Sequence, residues 1–212
     1  MQESRDVEWG LAQSLKKLVI EKPFEKITIK QIADGAGVIR VTFYNHFQDK
    51  YDLLAWIVRR DIFDPVKILL SNLMYRQALI LIFTNLRRDR EFYMKVGKIT
   101  GQNSFAEIVE DCVGRLILEL LQEYGTAGSG RIHPMMTPEY ISRYYGNSMC
   151  YIMLDWIRNG MQTPPEDMAD IYMHLGTHSI QDLLYEDLLK SVLTSILSIR
   201  MDLCKFLLDT LL

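Results

Sequence analysis

Apolar residues recur at every third or fourth position along most of the chain, which is the period of an amphipathic α-helix. The first such segment, VEWGLAQSLKKLVIE, places Val7, Leu11, Leu15, Leu18 and Val19 on one face. It ends before Pro23, a residue that cannot continue a helix. No segment shows the strict alternation of a half-buried strand, so the pattern predicts an all-α protein. With 212 residues, 49% of them apolar, the chain is long enough to bury a core.

Turn and capping residues divide the next stretch into short helices. Thr28 is a good N-cap for a helix over IKQIADG, and Gly35 and Gly37 then supply a tight turn. A second short helix, IRVTFYNHF, follows, and Asp49 caps a third, KYDLLAWIVRRDIF. Two short helices joined by a glycine-containing turn are typical of a helix-turn-helix unit, so residues 1–62 are expected to form a three-helix domain.

The remainder, residues 63–212, is predicted to be a helical bundle. Helices are expected at about 66–86, 89–98 and 104–124, and GTAGSGRIHP marks a loop between 125 and 134. Thr137 and Pro138 open a further helix, in which the six residues Met149 to Leu154 are apolar on every side. A helix without a polar face is covered all round, which favours a place between its own core and a second subunit.

The last segment, residues 179–212, contains no Gly or Pro and is predicted to be an additional helix. Its apolar positions alternate by three and four, as in a coiled coil: Leu189, Val192, Ile196, Ile199, Leu203 and Phe206. We expect it to pack on its own domain or to extend a dimer interface, although a partner protein is a further alternative. Its longest uncharged stretch, 191–199, is too short to cross a membrane.

Charge and cysteine content narrow the class of protein. The net charge is −3, yet residues 1–60 carry ten Lys or Arg against eight Asp or Glu, so the basic side chains gather at the start. Cys112, Cys150 and Cys204 are odd in number and lie among apolar neighbours, as free core thiols do in a reducing compartment. The polar opening MQESRDVEWG lacks the apolar segment of a signal peptide. We therefore expect a cytoplasmic protein with no membrane contact.

The stretch VTFYNHFQDK, residues 41–50, combines apolar rings with small hydrogen-bonding groups. Phe43 and Phe47 lie four apart and share one helix face, while Arg40, Tyr44 and Asn45 point elsewhere. Their polar tips suit phosphates and base edges. The alternative is an ordinary amphipathic surface, and helical period alone does not choose between the two.

The wider pattern resembles a known family. Residues 27–54, ITIKQIADGAGVIRVTFYNHFQDKYDLL, resemble the DNA-binding signature of the TetR family of bacterial regulators. The matching elements are Thr28, Ile32-Ala33, Ala36-Gly37-Val38, Thr42-Phe43-Tyr44, His46-Phe47, Lys50 and Leu53-Leu54. Many identities at fixed spacing make a more specific signal than one short motif. The resemblance implies a helix-turn-helix domain followed by a helical regulatory and dimerisation domain.

The resemblance also implies roles for individual residues. Thr28, Tyr44, His46 and Lys50 fall where the family contacts phosphates, whereas Arg40, Val41, Thr42 and Asn45 face base edges, and Lys30 is placed to reach either. Two positions depart from the pattern. The usual capping serine before the recognition helix is Ile39, and the usual small residue is Val41. Losing a capping oxygen costs about 1 kcal/mol.

A second resemblance covers residues 154–172, LDWIRNGMQTPPEDMADIY. This stretch is similar to the subgroup that includes activators of dihydroxyacetone-kinase operons, whose activator answers to a partner protein. The resemblance thus implies a small-molecule effector or a co-regulator protein. The ligand residues themselves are not identified by the sequence.

A family regulator binds a palindromic operator as a homodimer, since two recognition helices must lie about one helical turn apart. A four-helix bundle from residues 138–159 and 163–178 of both subunits is the expected interface. Its candidate residues follow helical spacing: Tyr145, Met149, Ile152, Met153 and Trp156. The alternative is that these side chains form ordinary intrachain core.

No pattern supports catalysis, a cofactor or a metal. The carboxylates are not paired, and no nucleophile elbow or glycine loop after a strand is present. His174 and His178 have a metal-compatible spacing but no evident third ligand. The sequence therefore predicts a DNA-binding transcriptional regulator, a repressor by the family's usual action, with activation as the alternative. A rival interpretation is a helical adaptor that acts through a co-regulator protein and binds little DNA itself.

Overall fold

The computed structural model describes residues 2–101, 104–125 and 133–185, with side chains from residue 6 onward. These residues form helices and no strand, which confirms the all-α prediction. The first part of the chain contains α1 (Gln2–Glu21), a 3₁₀ turn (Phe24–Lys26), α2 (Ile29–Gly35), α3 (Arg40–His46) and α4 (Lys50–Val58).

The predicted capping residues begin their helices. Thr28 forms a reciprocal capping box with Gln31, in which the Thr28 hydroxyl oxygen accepts from the Gln31 N–H at 3.3 Å and the Gln31 side-chain oxygen accepts from the Thr28 N–H at 3.1 Å. Asp49 accepts two backbone N–H groups at 2.8 Å. Thr137 accepts one at 3.3 Å. Local sequence therefore fixes where α2, α4 and the long helix after 137 start.

Beyond α4 the chain continues as a π-helical segment (Arg59–Phe63) and a 3₁₀ turn (Asp64–Val66). The later helices are α5 (Lys67–Ser71), α6 (Tyr75–Arg88), α7 (Arg90–Val96), α8 (Phe105–Tyr124), α9 (Pro138–Arg158) and α10 (Pro165–Thr177). The prediction of one continuous helix at 66–86 is wrong. The chain breaks between α5 and α6, where Leu73 adopts a left-handed φ of 57°. Neither Gly nor Pro marks that break, so it was not predicted from the pattern of residues.

The described residues divide into two compact units, with the division between Ala169 and Asp170. The predicted boundary between residues 62 and 63 lies inside the first unit, in which α1 packs against α2, α4 and α7. The division into a DNA-binding part and a regulatory part stays a functional prediction. The proposed coiled-coil stripe, Leu189 to Phe206, lies outside the described residues.

α8 and α9 pack closely along their length. Their backbones approach at two glycines, since a Cβ added to Gly146 would lie 3.5 Å from the Cα of Gly114. Cys112 and Cys150 lie buried on these two helices as free thiols. This burial confirms the prediction for two of the three cysteines, and Cys204 lies outside the described residues.

These two thiols are expected to resist modification in the folded protein. Burial raises the pKa of Cys112 to about 11 and that of Cys150 to about 12, so at pH 8 roughly one molecule in a thousand or fewer carries the reactive thiolate. In a Cys204→Ser variant, a disulfide reagent such as Ellman's should therefore titrate no thiol within minutes natively and two in guanidinium. Rapid native labelling of either cysteine would contradict the buried placement.

Candidate nucleic-acid interface

α3 separates its side chains into a buried face and an exposed face. Phe43 and Phe47 are 0% and 4% exposed, and the Phe47 ring packs edge-on against Trp56 of α4 with ring centroids 5.9 Å apart. The exposed face carries four of the predicted contact residues, namely Arg40, Val41, Tyr44 and Asn45. Because Arg40 and Tyr44 are four apart, as are Val41 and Asn45, they form two adjacent rows on the helix surface.

Arg40 and Tyr44 contact each other on that surface. An Arg40 amino group donates to the Tyr44 hydroxyl at 3.1 Å, and the Arg40 Cζ lies 5.5 Å from the centre of the Tyr44 ring. A guanidinium has five N–H donors, so one such bond leaves others available to an acceptor on DNA. The pairing reduces the rotamer freedom that Arg40 would lose on binding.

At the start of α2, Thr28 and Lys30 are also exposed. The Thr28 hydroxyl oxygen serves the capping box as an acceptor, so its hydrogen can still donate to a phosphate oxygen. Lys30 pairs with Asp34 at 3.6 Å in a highly exposed i,i+4 contact, which is weak and readily exchanged for a phosphate.

Two further predicted contacts, Thr42 and His46, are half-buried. The His46 Nδ1 lies 3.4 Å from Glu8 Oε1, which connects the end of α3 to α1. His46 thus has a contact with α1 in addition to its predicted role at a phosphate.

Lys50 occupies a more enclosed position than the sequence suggested. Its ammonium donates to the carbonyl oxygens of Phe24, Glu25 and Ile27 at 2.8, 3.1 and 3.1 Å. Burial lowers the pKa of Lys50, and the charges of Glu25 and Asp49 oppose that shift. An ammonium has three donors, so a phosphate contact by Lys50 would require at least one carbonyl to be released.

Lys50→Ala is therefore expected to change both stability and DNA binding. The variant should lose about 1–2 kcal/mol of unfolding free energy, because three backbone carbonyls lose a charged donor. If Lys50 also meets a phosphate, the slope of log affinity against log salt should become shallower by about one unit per head. Urea unfolding and DNA titrations at several salt concentrations measure the two effects, with Lys67→Ala as a charge-matched control. A lower stability with an unchanged slope would remove Lys50 from the phosphate contacts.

The guanidinium of Arg60 lies between two tryptophan rings and stabilises the same domain. The Arg60 Cζ lies 4.3 Å from the Trp9 ring centre and 4.9 Å from that of Trp56, so the guanidinium joins α1, α4 and the π-helical segment. Sequence reasoning missed this contact, since nothing in the spacing of residues 9, 56 and 60 signals it.

A partly buried ion cluster, formed by Lys16, Asp61 and Asp89, joins α1 to later elements. The Lys16 ammonium lies 2.5 Å from a carboxylate oxygen of each aspartate, and the side chains of Lys16 and Asp61 are only 12% and 10% exposed. Asp61 belongs to the π-helical segment and Asp89 lies between α6 and α7. The cluster therefore joins α1, which belongs to the predicted DNA-binding domain, to the π-helical segment and to the junction of α6 and α7.

The predicted dimer-interface residues of α9 divide into two groups. Tyr145 is 42% exposed and Met149 and Ile152 are half-buried, so these three reach the surface of the single chain. Met153 and Trp156 are buried, and Trp156 packs edge-on against Phe83 with ring centroids 5.1 Å apart. The side chains of these two residues are covered within their own subunit, and their place in a dimer interface stays a prediction.

Neither a metal cluster nor a membrane span is found in the part of the chain that the structure describes. No three His, Cys, Asp or Glu side chains among the described residues converge on a point that could hold a metal ion. No helix of the described residues is long and apolar enough to span a bilayer. The rings of His174 and His178 stack at 4.1 Å between their centres.

The arrangement of α1 to α4 defines a helix-turn-helix protein, with α3 as the exposed recognition helix. Comparison with known families gives the same class. Residues 14–57 match the model described as bacterial regulatory proteins, tetR family, and residues 75–178 match a transcriptional regulator C-terminal region. The chain belongs to the TetR family of transcriptional regulators, whose members are not enzymes.

Individual relatives agree with this placement. The activator of the dhaKLM operon from Lactococcus lactis subsp. lactis strain IL1403, DhaS, is 28% identical over 86 residues. That match covers 41% of this chain and 46% of DhaS, so it spans less than half of the curated relative.

Solved structures share the fold. A structure of the dihydroxyacetone kinase operon activator DhaS superposes with a TM-score of 0.57 at 21% identity, covering 79% of this chain and 92% of that one. NalD of Pseudomonas aeruginosa, the secondary repressor of the MexAB-OprM efflux pump, gives 0.56 at 21% identity, covering 81% and 93%. FadR of Thermus thermophilus, a repressor solved with lauroyl-CoA, gives 0.53 at 16% identity, covering 78% and 91%.

Proposed function

We propose that this regulator binds a palindromic operator as a homodimer and that an effector changes its DNA affinity. The observation that carries the proposal is the exposed face of α3, on which Arg40, Val41, Tyr44 and Asn45 gather with no core role. A surface with a fork-shaped cation, an aliphatic group and an amide offers the groups that read base edges in the major groove.

The proposed contacts divide by chemistry. Arg40, Val41, Thr42 and Asn45 would read bases, since they lie on or next to the exposed rows of α3. Thr28, Tyr44, His46 and Lys50 would position the domain on phosphates, and Lys30 would reach either group. Lys50 does so only if it exchanges part of its carbonyl coordination.

Dimerisation supplies the second recognition helix. We propose that Tyr145, Met149 and Ile152 of α9 belong to the interface, because they are apolar or aromatic and reach the surface on one face. Met153 and Trp156 would support that face from inside the subunit. A C₂ arrangement places the two heads symmetrically, as a palindrome requires.

An effector acts by favouring one spacing of the two heads over another. The ion cluster of Lys16, Asp61 and Asp89 offers a physical connection, since movement of α6 or α7 at Asp89 pulls on α1 through one ammonium. Lauroyl-CoA in the FadR complex is an example of a small effector, whereas the second sequence resemblance favours a co-regulator protein. Repression by operator occupancy is the proposed outcome, and activation, as named for DhaS, is the alternative.

Selection of bound duplexes from a random library at physiological salt tests the proposal. The expected result is a palindrome whose half-sites lie about one helical turn, ~34–36 Å, apart. If folded, dimeric protein enriches no sequence, the adaptor interpretation replaces this one. The same sample, measured by sedimentation, reports the oligomeric state on which that conclusion depends.

A further inference from the structure

Ile39 occupies the N-cap position of α3, but its side chain does not cap the helix. Its backbone is extended, with φ −83° and ψ 157°, and its side chain makes no capping hydrogen bond. The N-caps of α2, α4, α8 and α9 all carry a side-chain oxygen that accepts a backbone N–H. The start of α3 therefore lacks a stabilising group that this chain uses at four other described helix starts, as do the starts of α5, α6 and α7.

The Ile39 side chain does not contribute to the core either. It is 70% exposed, and Val41, two residues on, is 64% exposed. An aliphatic group that neither caps nor packs adds nothing to the stability of the free protein. Its apolar surface is therefore available to a group that covers it on binding.

The position of Ile39 indicates what covers it. It directly precedes Arg40, at the N-terminal end of α3, the end that contacts base edges when a recognition helix enters the major groove. In that groove the thymine C5-methyl is the apolar group available to an aliphatic side chain. A polar phosphate, by contrast, gains nothing from isoleucine.

We propose that Ile39 is a specificity-determining residue that packs on a thymine methyl beside the base pair read by Arg40. At this position the family pattern has a capping serine, whereas this chain has an apolar side chain that contacts a base. Its operator therefore contains a thymine that a serine would not select. This inference rests on the proposed function, because it names a base that the same surface recognises.

Removal of single methyl groups from the DNA tests the inference. Each thymine of the selected palindrome is replaced in turn by deoxyuridine, which keeps every hydrogen-bonding group and loses only the methyl. At the thymine contacted by Ile39, wild-type affinity should fall about 4-fold for one half-site and about 15-fold for both, as expected for one buried carbon group.

The matched variants are Ile39→Ser and Ile68→Ser, the second at an isoleucine of α5 that is 75% exposed and lies outside the proposed DNA contacts. Ile39→Ser should lose the response to deoxyuridine at that thymine, whereas Ile68→Ser should keep it. Serine also restores a capping oxygen, so the melting temperature of Ile39→Ser should equal or exceed that of wild type, which excludes unfolding as the cause.

The outcomes separate this inference from the function on which it rests. Failure to select any duplex would overturn the proposed function. Selection of a palindrome on which wild type and Ile39→Ser give the same deoxyuridine profile would overturn the role of Ile39 alone. A palindrome without a constant thymine in its half-sites would also overturn it.

Discussion

Arg40→Ala should abolish the preference for one base pair in each half-site while leaving the rest of the operator recognised. A bidentate contact from arginine to guanine O6 and N7 contributes about 2 kcal/mol of discrimination, so a dimer should lose about 4 kcal/mol over two half-sites. The folded protein should be unaffected, because Arg40 is exposed and its hydrogen bond to Tyr44 lies on the surface of the same helix.

The measurement is an affinity series over operators that vary at each base pair. Wild type should discriminate among the four base pairs at one position, and Arg40→Ala should bind all four with similar affinity there. Arg40→Lys is the matched control, since it keeps the charge and loses the planar fork. An equal loss of affinity on every sequence, with discrimination intact, would make Arg40 a phosphate contact instead of a base reader.

Lys16→Ala should lower the unfolding free energy by about 2–3 kcal/mol, because the cluster is only partly buried. The substitution leaves the carboxylates of Asp61 and Asp89 close together, and Asp61 is only 10% exposed. Removing the cation from a partly buried ion cluster leaves the two carboxylates without their counter-charge, which costs more than the pair itself contributes. Lys17→Ala, on the neighbouring exposed lysine, removes the same charge and should cost less than 1 kcal/mol.

Urea unfolding of the two variants provides the comparison, and Lys16→Met combined with Asp61→Asn provides the rescue. The double variant removes the ammonium together with one carboxylate, so it should recover part of the lost stability. If Lys16→Ala and Lys17→Ala are equally stable, the cluster does not hold α1 against the later helices. The mechanical connection proposed for the effector would then lose its support.

Sequence reasoning succeeded where the determining interactions are local. The caps at Thr28, Asp49 and Thr137 bond to backbone groups two or three residues away, so the residue type and its place in the pattern were sufficient. The burial of Phe43 and Phe47 follows from their spacing on one turn of helix. The all-α class came from the same short-range periodicity.

Prediction from the sequence failed where residues that are distant along the chain contact each other. Lys50 reaches carbonyls more than twenty positions away, and Lys16 reaches Asp89 across 73 positions. The interface candidates show the same limit, because helical spacing places Trp156 on a face of α9 but cannot reveal that Phe83 already covers it. Leu73 shows a further limit, since its left-handed backbone arises at a residue that does not favour it.

The central claim is that this chain binds DNA in a sequence-specific manner. The ratio of its affinities for two duplexes tests that claim most directly. The affinity of the full-length protein for its selected palindrome is compared with its affinity for a scrambled duplex of equal length, at physiological salt. We expect the palindrome to bind at least about 1,000-fold more tightly, as specific regulators do. Equal affinities for the two duplexes would show that α3 does not read bases and would contradict the account.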